Sequence, residues 1–124
     1  MKKVYKTNII GILGEMSDII YQKYVWLNKG GKPQMTISFI ESANMLFDDS
    51  VISDLLEAGE IIFDKKTTQA LKELEHAIDA VDEFHPEEQI IDSPEMEVVR
   101  QKAARALELV KVSDGSEGTV EIIG

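Results

Sequence analysis

The chain reads as an all-α protein, a single compact domain of about five helices, and three observations predict it. Apolar residues recur at helical spacing over 7–28, over 67–84 and after Ser93. Recognisable start and stop residues bracket these runs. Extended candidates are confined to two short apolar stretches, near 61–63 and 119–123. The 124 residues, 44% hydrophobic and 29% charged, suit one hydrophobic core and argue against general disorder. Residues 1–112 are expected to form the domain and 113–124, which begin Ser113-Asp114-Gly115-Ser116-Glu117-Gly118, a flexible tail.

The first helix is predicted over 7–28. Ile9, Leu13, Met16, Ile20 and Leu27 define its apolar side, with Ile12 and Tyr24 beside them and Gly14, Asp18 and Gln22 opposite. Each glycine costs about 1 kcal/mol against alanine, which allows a start as late as Gly14 or Glu15. Asn28-Lys29-Gly30-Gly31-Lys32-Pro33 supplies the stop, and Trp26, the one tryptophan, reads as a core plug in the last turn. Ser38-Phe39-Ile40-Glu41 is a capping box that starts the second helix, whose apolar face is Phe39, Ala43, Leu46 and Phe47 with Met45 at its edge. Asp48-Asp49-Ser50 offers three candidate caps for a third helix, Val51 to Ala58, closed by Gly59. Ile61-Ile62-Phe63 lacks a strand partner and reads as a plug in a connection.

Asp64 or Thr67 caps the fourth helix, in which Leu71, Leu74, Ile78 and Val81 line one face, flanked by Ala70, Ala77 and Phe84. Pro86 ends it, and Ile90 and Ile91 of the following link are expected to point inward. Ser93-Pro94-Glu95 starts the last helix with a cap, a first-turn proline and an acid. Its stripe is Met96, Val99, Ala103, Ala106, Leu107 and Val110, and its cationic face is Arg100, Lys102 and Arg105.

The net charge of −10 is uneven. Residues 36–64 carry seven acids and neither Lys nor Arg, whereas residues 1–35 carry six Lys against Glu15 and Asp18. This is the wrong sign for phosphate neutralisation over most of the chain, so direct nucleic-acid binding is not expected. The six N-terminal lysines are scattered and read as a solvated face. With no cysteine, disulfides and thiolate zinc sites are excluded. No apolar run is long enough for a membrane span, and the expected location is the cytoplasm.

Catalytic chemistry finds little support. Glu73-Leu74-Glu75-His76 has the Glu-x-x-His spacing of carboxylate-bridged metal bundles, and a metal-binding bundle or small enzyme using Glu73 and His76 is the alternative reading. However, the helical wheel turns His76 away from Leu71, Leu74 and Ile78, towards water. No Gly-x-Ser-x-Gly elbow, phosphate loop or calcium loop is present. The expectation is a non-enzymatic protein without a cofactor or metal.

One resemblance bears on function. Val25-Trp26-Leu27, Ser38-Phe39-Ile40-Glu41 and Met45-Leu46-Phe47-Asp48-Asp49, followed by Leu71, Leu74 and Ile90-Ile91-Asp92-Ser93-Pro94, resemble the pattern of small bacterial immunity proteins. These are cytoplasmic antidotes to polymorphic or contact-dependent growth inhibition toxins. The likeness covers about residues 20–110 and rests on pattern rather than on a diagnostic motif. It implies an inhibitor that binds a cognate toxin, often a basic nuclease domain, and blocks its active or substrate surface. The resemblance carries over no functional residue; independently of it, the acidic charge makes Glu41, Asp48, Asp49, Asp54, Glu57 and Glu60 the candidates for partner binding, with Glu73, Glu75, Asp79, Asp82 and Glu83 as a second set. A regulatory or structural interaction module with a partner unrelated to toxins is a further alternative.

Overall fold

The computed structural model describes residues 3–26, 39–48, 52–82, 84–113 and 115–124. It is mostly helical, with one two-stranded sheet. In chain order the elements are β1 (Lys3–Tyr5), α1 (Lys6–Ser17), α2 (Ile19–Tyr21) continuing into a π-helical turn (Gln22–Trp26), α3 (Phe39–Phe47), α4 (Ile52–Glu57), α5 (Lys65–Asp79), α6 (Glu87–Asp92), α7 (Pro94–Val112) and β2 (Glu121–Ile123).

Helix α7 is the centre of the packing, with α1 on one side and α5 on the other. Its inward residues explain this role: Ala103 and Ala106 let neighbouring helices approach closely, and Met96, Val99 and Val110 fill the space around them. As predicted, Ser93 caps the helix by accepting from Met96 N–H at 3.2 Å, and Pro94 occupies the first turn. Helix α5 meets α7 through Ala70, Leu71, Leu74, Ala77 and Ile78, all buried, and the Asp64 carboxylate caps it by accepting from Thr67 N–H at 2.7 Å. Helix α3 packs on α1 and α4. The predicted capping residue Ser38 lies outside the described residues, as do Asp49, Ser50 and Val51 of the next predicted start.

The predicted first helix is corrected in both phase and extent. Residues 6–17 are helical throughout, both glycines included, and then Asp18 interrupts the ladder. Its carboxylate accepts from Ile20 and Tyr21 N–H at 2.9 and 3.2 Å and starts a new turn with a different phase. Ile20 and Tyr24, expected inside, are therefore 77% and 61% exposed, while Gln22, expected outside, is fully buried. Trp26 is the core plug its position suggested, 3% exposed and tilted against Phe39 at a ring-centroid distance of 5.9 Å. Leu27 and the glycine stop lie outside the described residues.

The buried end of Gln22 explains the break. Its amide donates to the carbonyls of Glu15 and Met16 in the last turn of α1, at 3.1 and 2.7 Å. Its oxygen accepts from Arg100 Nη1 at 3.0 Å. Arg100 is thus a correction as well. It belongs to no cationic surface but is 7% exposed, donating also to the Ile91 carbonyl at 3.0 Å and twice to Glu97 Oε2 at 3.1 and 2.9 Å. One guanidinium joins the π-helical turn, α6 and α7.

Phe84 departs from prediction too. Helix α5 ends at Asp79, five residues early, and Phe84 is 98% exposed instead of flanking the stripe. The Ile61-Ile62-Phe63 segment is a plug and not a strand: Ile62 and Phe63 are fully buried, and Phe63 takes a left-handed φ of 65°. Thr68 holds the turn, its hydroxyl accepting from Ile62 N–H at 2.7 Å and facing the Ile62 and Asp64 carbonyls at 3.0 and 2.8 Å.

The C-terminal segment, expected as a flexible tail with a candidate extended stretch at 119–123, is seated on the body, and strand β2 falls in that stretch. Strand β2 pairs in parallel with β1, with Lys3 opposite Glu121, Val4 opposite Ile122 and Tyr5 opposite Ile123. Val4 and Val120 are buried, and Glu117 N–H donates to the Phe63 carbonyl at 2.7 Å. Lys6 Nζ bonds the Ser113 carbonyl at 2.6 Å. Gly118 passes so close to Ile61 that a Cβ would stand 2.7 Å from the Ile61 carbonyl oxygen.

Candidate partner-binding surface

The acids singled out in 36–64 are divided by the fold. On α3, the buried residues Phe39, Ser42, Ala43, Leu46 and Phe47 occupy one side. Glu41, Asn44 and Asp48 follow at three- and four-residue spacing on the other, all exposed, with Met45 beside them at 40%. Helix α4 repeats the arrangement in a shorter form. Ile52, Leu55 and Leu56 are buried, and Asp54 and Glu57 share the solvent side. The left-handed Gly59 (φ 75°) then closes α4. The apolar spacing that buries each helix is therefore what turns its carboxylates outward.

Glu60 and Asp64 serve the fold instead. Glu60 Oε2 accepts from Thr119 Oγ1 at 2.8 Å, tying α4 to the C-terminal segment. Asp64 caps α5, and the Thr67 N–H holds its carboxyl below the usual range. Asp49 lies outside the described residues. Among the described residues, the four ion pairs join Lys23 to Asp92, His85 to Asp82, Arg100 to Glu97 and Lys102 to Glu73, so none uses Asp48, Asp54, Glu57 or Glu60.

The second set of acids, on α5 and just beyond it, is more heavily engaged. Glu73 accepts from Lys102 Nζ at 2.9 Å, and that bond lowers its pKa from the ordinary value. The pair borders a groove of about 230 Å³ between α5 and α7, also lined by Ala70, Gln101 and Arg105. Asp79 and Asp82 are exposed, Glu75 is half-buried, and Glu83 is outside the described residues. His76 faces solvent, as its wheel position predicted. Among the described residues no three His, Asp or Glu side chains are grouped to hold a metal ion, and no helix is long and apolar enough to cross a membrane.

Two functional-looking features escaped the sequence reading. Glu87 Oε1 accepts from Phe39 N–H at 2.6 Å, so an acid 48 residues away satisfies the start of α3. A cavity of about 370 Å³ also opens where α5, α6 and α7 meet, beside Phe84. The first leaves no local signal. The second left only its charge in the sequence, since residues 73–99 hold ten acids and no Lys or Arg, a larger excess than in 36–64, while the cavity itself is made by residues of separate elements. Comparison of the chain with protein-family models, curated proteins and solved structures returns no match.

Proposed function

We propose that the protein acts by binding and not by catalysis, as an immunity protein that neutralises a cognate bacterial toxin. The partner would be a basic nuclease domain whose active or nucleic-acid-binding surface is covered by the acids of α3 and α4. The observation that carries this reading is the outward exposure of Asp48, Asp54 and Glu57, which no ion pair among the described residues compensates. A phosphate-binding groove is cationic, and carboxylates held on short helices offer it a substitute for nucleic-acid charge. Such a surface steers encounter, so its effect falls mainly on the association rate and is screened by salt.

The test begins with the neighbouring reading frame, where a toxin with a variable C-terminal domain would supply the partner. Binding of that domain should show an association rate that falls steeply between low and physiological salt. Changing Asp48, Asp49, Asp54 and Glu57 together to Lys should slow association by about 10- to 1,000-fold and abolish protection in cells. Unchanged binding after the quadruple reversal removes α3 and α4 from the interface.

A further inference from the structure

The turn between α5 and α6 holds an aromatic side chain away from the protein on a stiff support. Phe84, at 98% exposure, is the most exposed of the large apolar side chains among the described residues. Its own N–H donates to Asp82 Oδ1 at 3.0 Å, and the other oxygen of Asp82 lies 3.1 Å from His85 Nε2. Pro86 follows, and its carbonyl accepts from Gln89 and Ile90 N–H, locking the turn to the start of α6.

Beside it lies the cavity of about 370 Å³, lined by two kinds of residue. Val81 and Ile90, themselves buried at 6% and 2%, form an apolar floor. Asp82, His85, Gln89 and Glu95 form a polar rim. An apolar floor with carboxylates at the rim matches a long cationic side chain, whose methylene stem is apolar and whose head is charged. Phe84 lies in the chain between two of the lining residues, Asp82 and His85, and aromatic faces attract cations. The charge of the cavity lining points the same way, because Asp82 and Glu95 are there and no Lys or Arg is.

We propose that this end of the molecule docks a lysine- or arginine-bearing segment of a basic partner protein, with the cationic side chain in the cavity and Phe84 packed against the segment beside it. Net charge decides against a second copy of the chain as the occupant, since two chains of −10 each repel one another overall. The site stands apart from α3 and α4 and does not depend on the partner there being a toxin.

The blocked peptide Ac-Gly-Arg-Gly-NH2 serves as the probe, titrated into the isotopically labelled full chain and followed by NMR. Saturable shifts centred on Val81, Phe84, His85 and Ile90 are expected at peptide concentrations on the order of 10 mM. The citrulline analogue, which keeps the shape and loses the charge, should not produce them. Phe84→Ala and Glu95→Gln, both at exposed positions, should each weaken the response several-fold while the rest of the spectrum stays native. Three results overturn the proposal: no saturable shift, shifts spread equally over the other acidic faces, or a response indifferent to both variants. Self-association that vanishes in Phe84→Ala, measured by sedimentation, would also overturn it by assigning Phe84 to a second copy.

Discussion

Residues 36–64 and 73–99 are alike in composition and opposite in use. Both are rich in acids and contain no Lys or Arg. In the second stretch three carboxylates act as clips between elements: Glu87 holds the start of α3, Asp92 meets Lys23, and Glu73 meets Lys102, while Glu97 pairs within α7 with the buried Arg100. In the first, Glu60 acts this way and Asp64 caps its own helix, while Asp48, Asp54 and Glu57 stand clear of any base among the described residues. The difference teaches that charge excess does not say which acids the fold requires. That depends on whether a donor from another element reaches the carboxylate, which is a property of the tertiary structure.

The contrast can be broken most forcefully at Arg100. Arg100→Ala strands the Gln22 oxygen and the Ile91 carbonyl in the interior and should cost about 3 kcal/mol, read from urea denaturation. A loss under about 1 kcal/mol would mean that Gln22 and Ile91 find other partners. Glu87→Ala should cost about 1–2 kcal/mol, and its signature is local: hydrogen exchange at Phe39 N–H should accelerate more than at the centre of α7.

Asp64→Ala removes the cap of α5 and should cost about 1 kcal/mol at neutral pH. The folded-state pKa of Asp64 is lowered, so its contribution is fully present above the unfolded pKa and is lost as pH falls through the folded one. The variant and the wild type should therefore converge in acid. Glu15 should behave in the opposite sense. Burial raises its carboxyl pKa, so its contribution is present at low pH and fades as pH rises through the folded value. Its partner Tyr21 is pushed up to about 12 by burial and by Glu15, so one phenol should ionise late in an ultraviolet titration, and Glu15→Gln should bring that step down.

The smallest effects sharpen the comparison. Glu73→Gln, at an exposed pair, should leave the melting midpoint unchanged. The triple change of Asp48, Asp54 and Glu57 to Lys should also leave it near the wild-type value. A large loss there would show that these acids belong to the fold after all.

Much of this architecture was legible in the sequence where the signal was local and periodic. Leu71, Leu74 and Ile78 of α5 and Met96, Val99, Ala103 and Val110 of α7 are buried as their spacing required, and Asp64 and Ser93 cap where expected. Beyond Asp18, however, extrapolating the phase of Ile9, Leu13 and Met16 misplaced Ile20, Gln22 and Tyr24, because a side-chain cap had reset the helix. Arg100 and Gln22 could not be read as interior, since each is buried only by virtue of the other. At the candidate surface, Glu41, Asp48, Asp54 and Glu57 are exposed as their helical spacing implied. The cavity under Phe84 needed three helices to meet before it existed.

The parallel pairing of β1 with β2 has a consequence for the order of assembly. It joins the third residue to the hundred-and-twenty-first, and a ladder of three residues is too small to offset so distant a closure by itself. The seam can therefore close only on a helical body that already holds Val4 and Val120 in place, which makes it late to form and early to open. Like the clasp on a necklace, it opens without breaking the strand of beads. Exchange of the β1 and β2 amides should accordingly outpace that of α7 without loss of the helices.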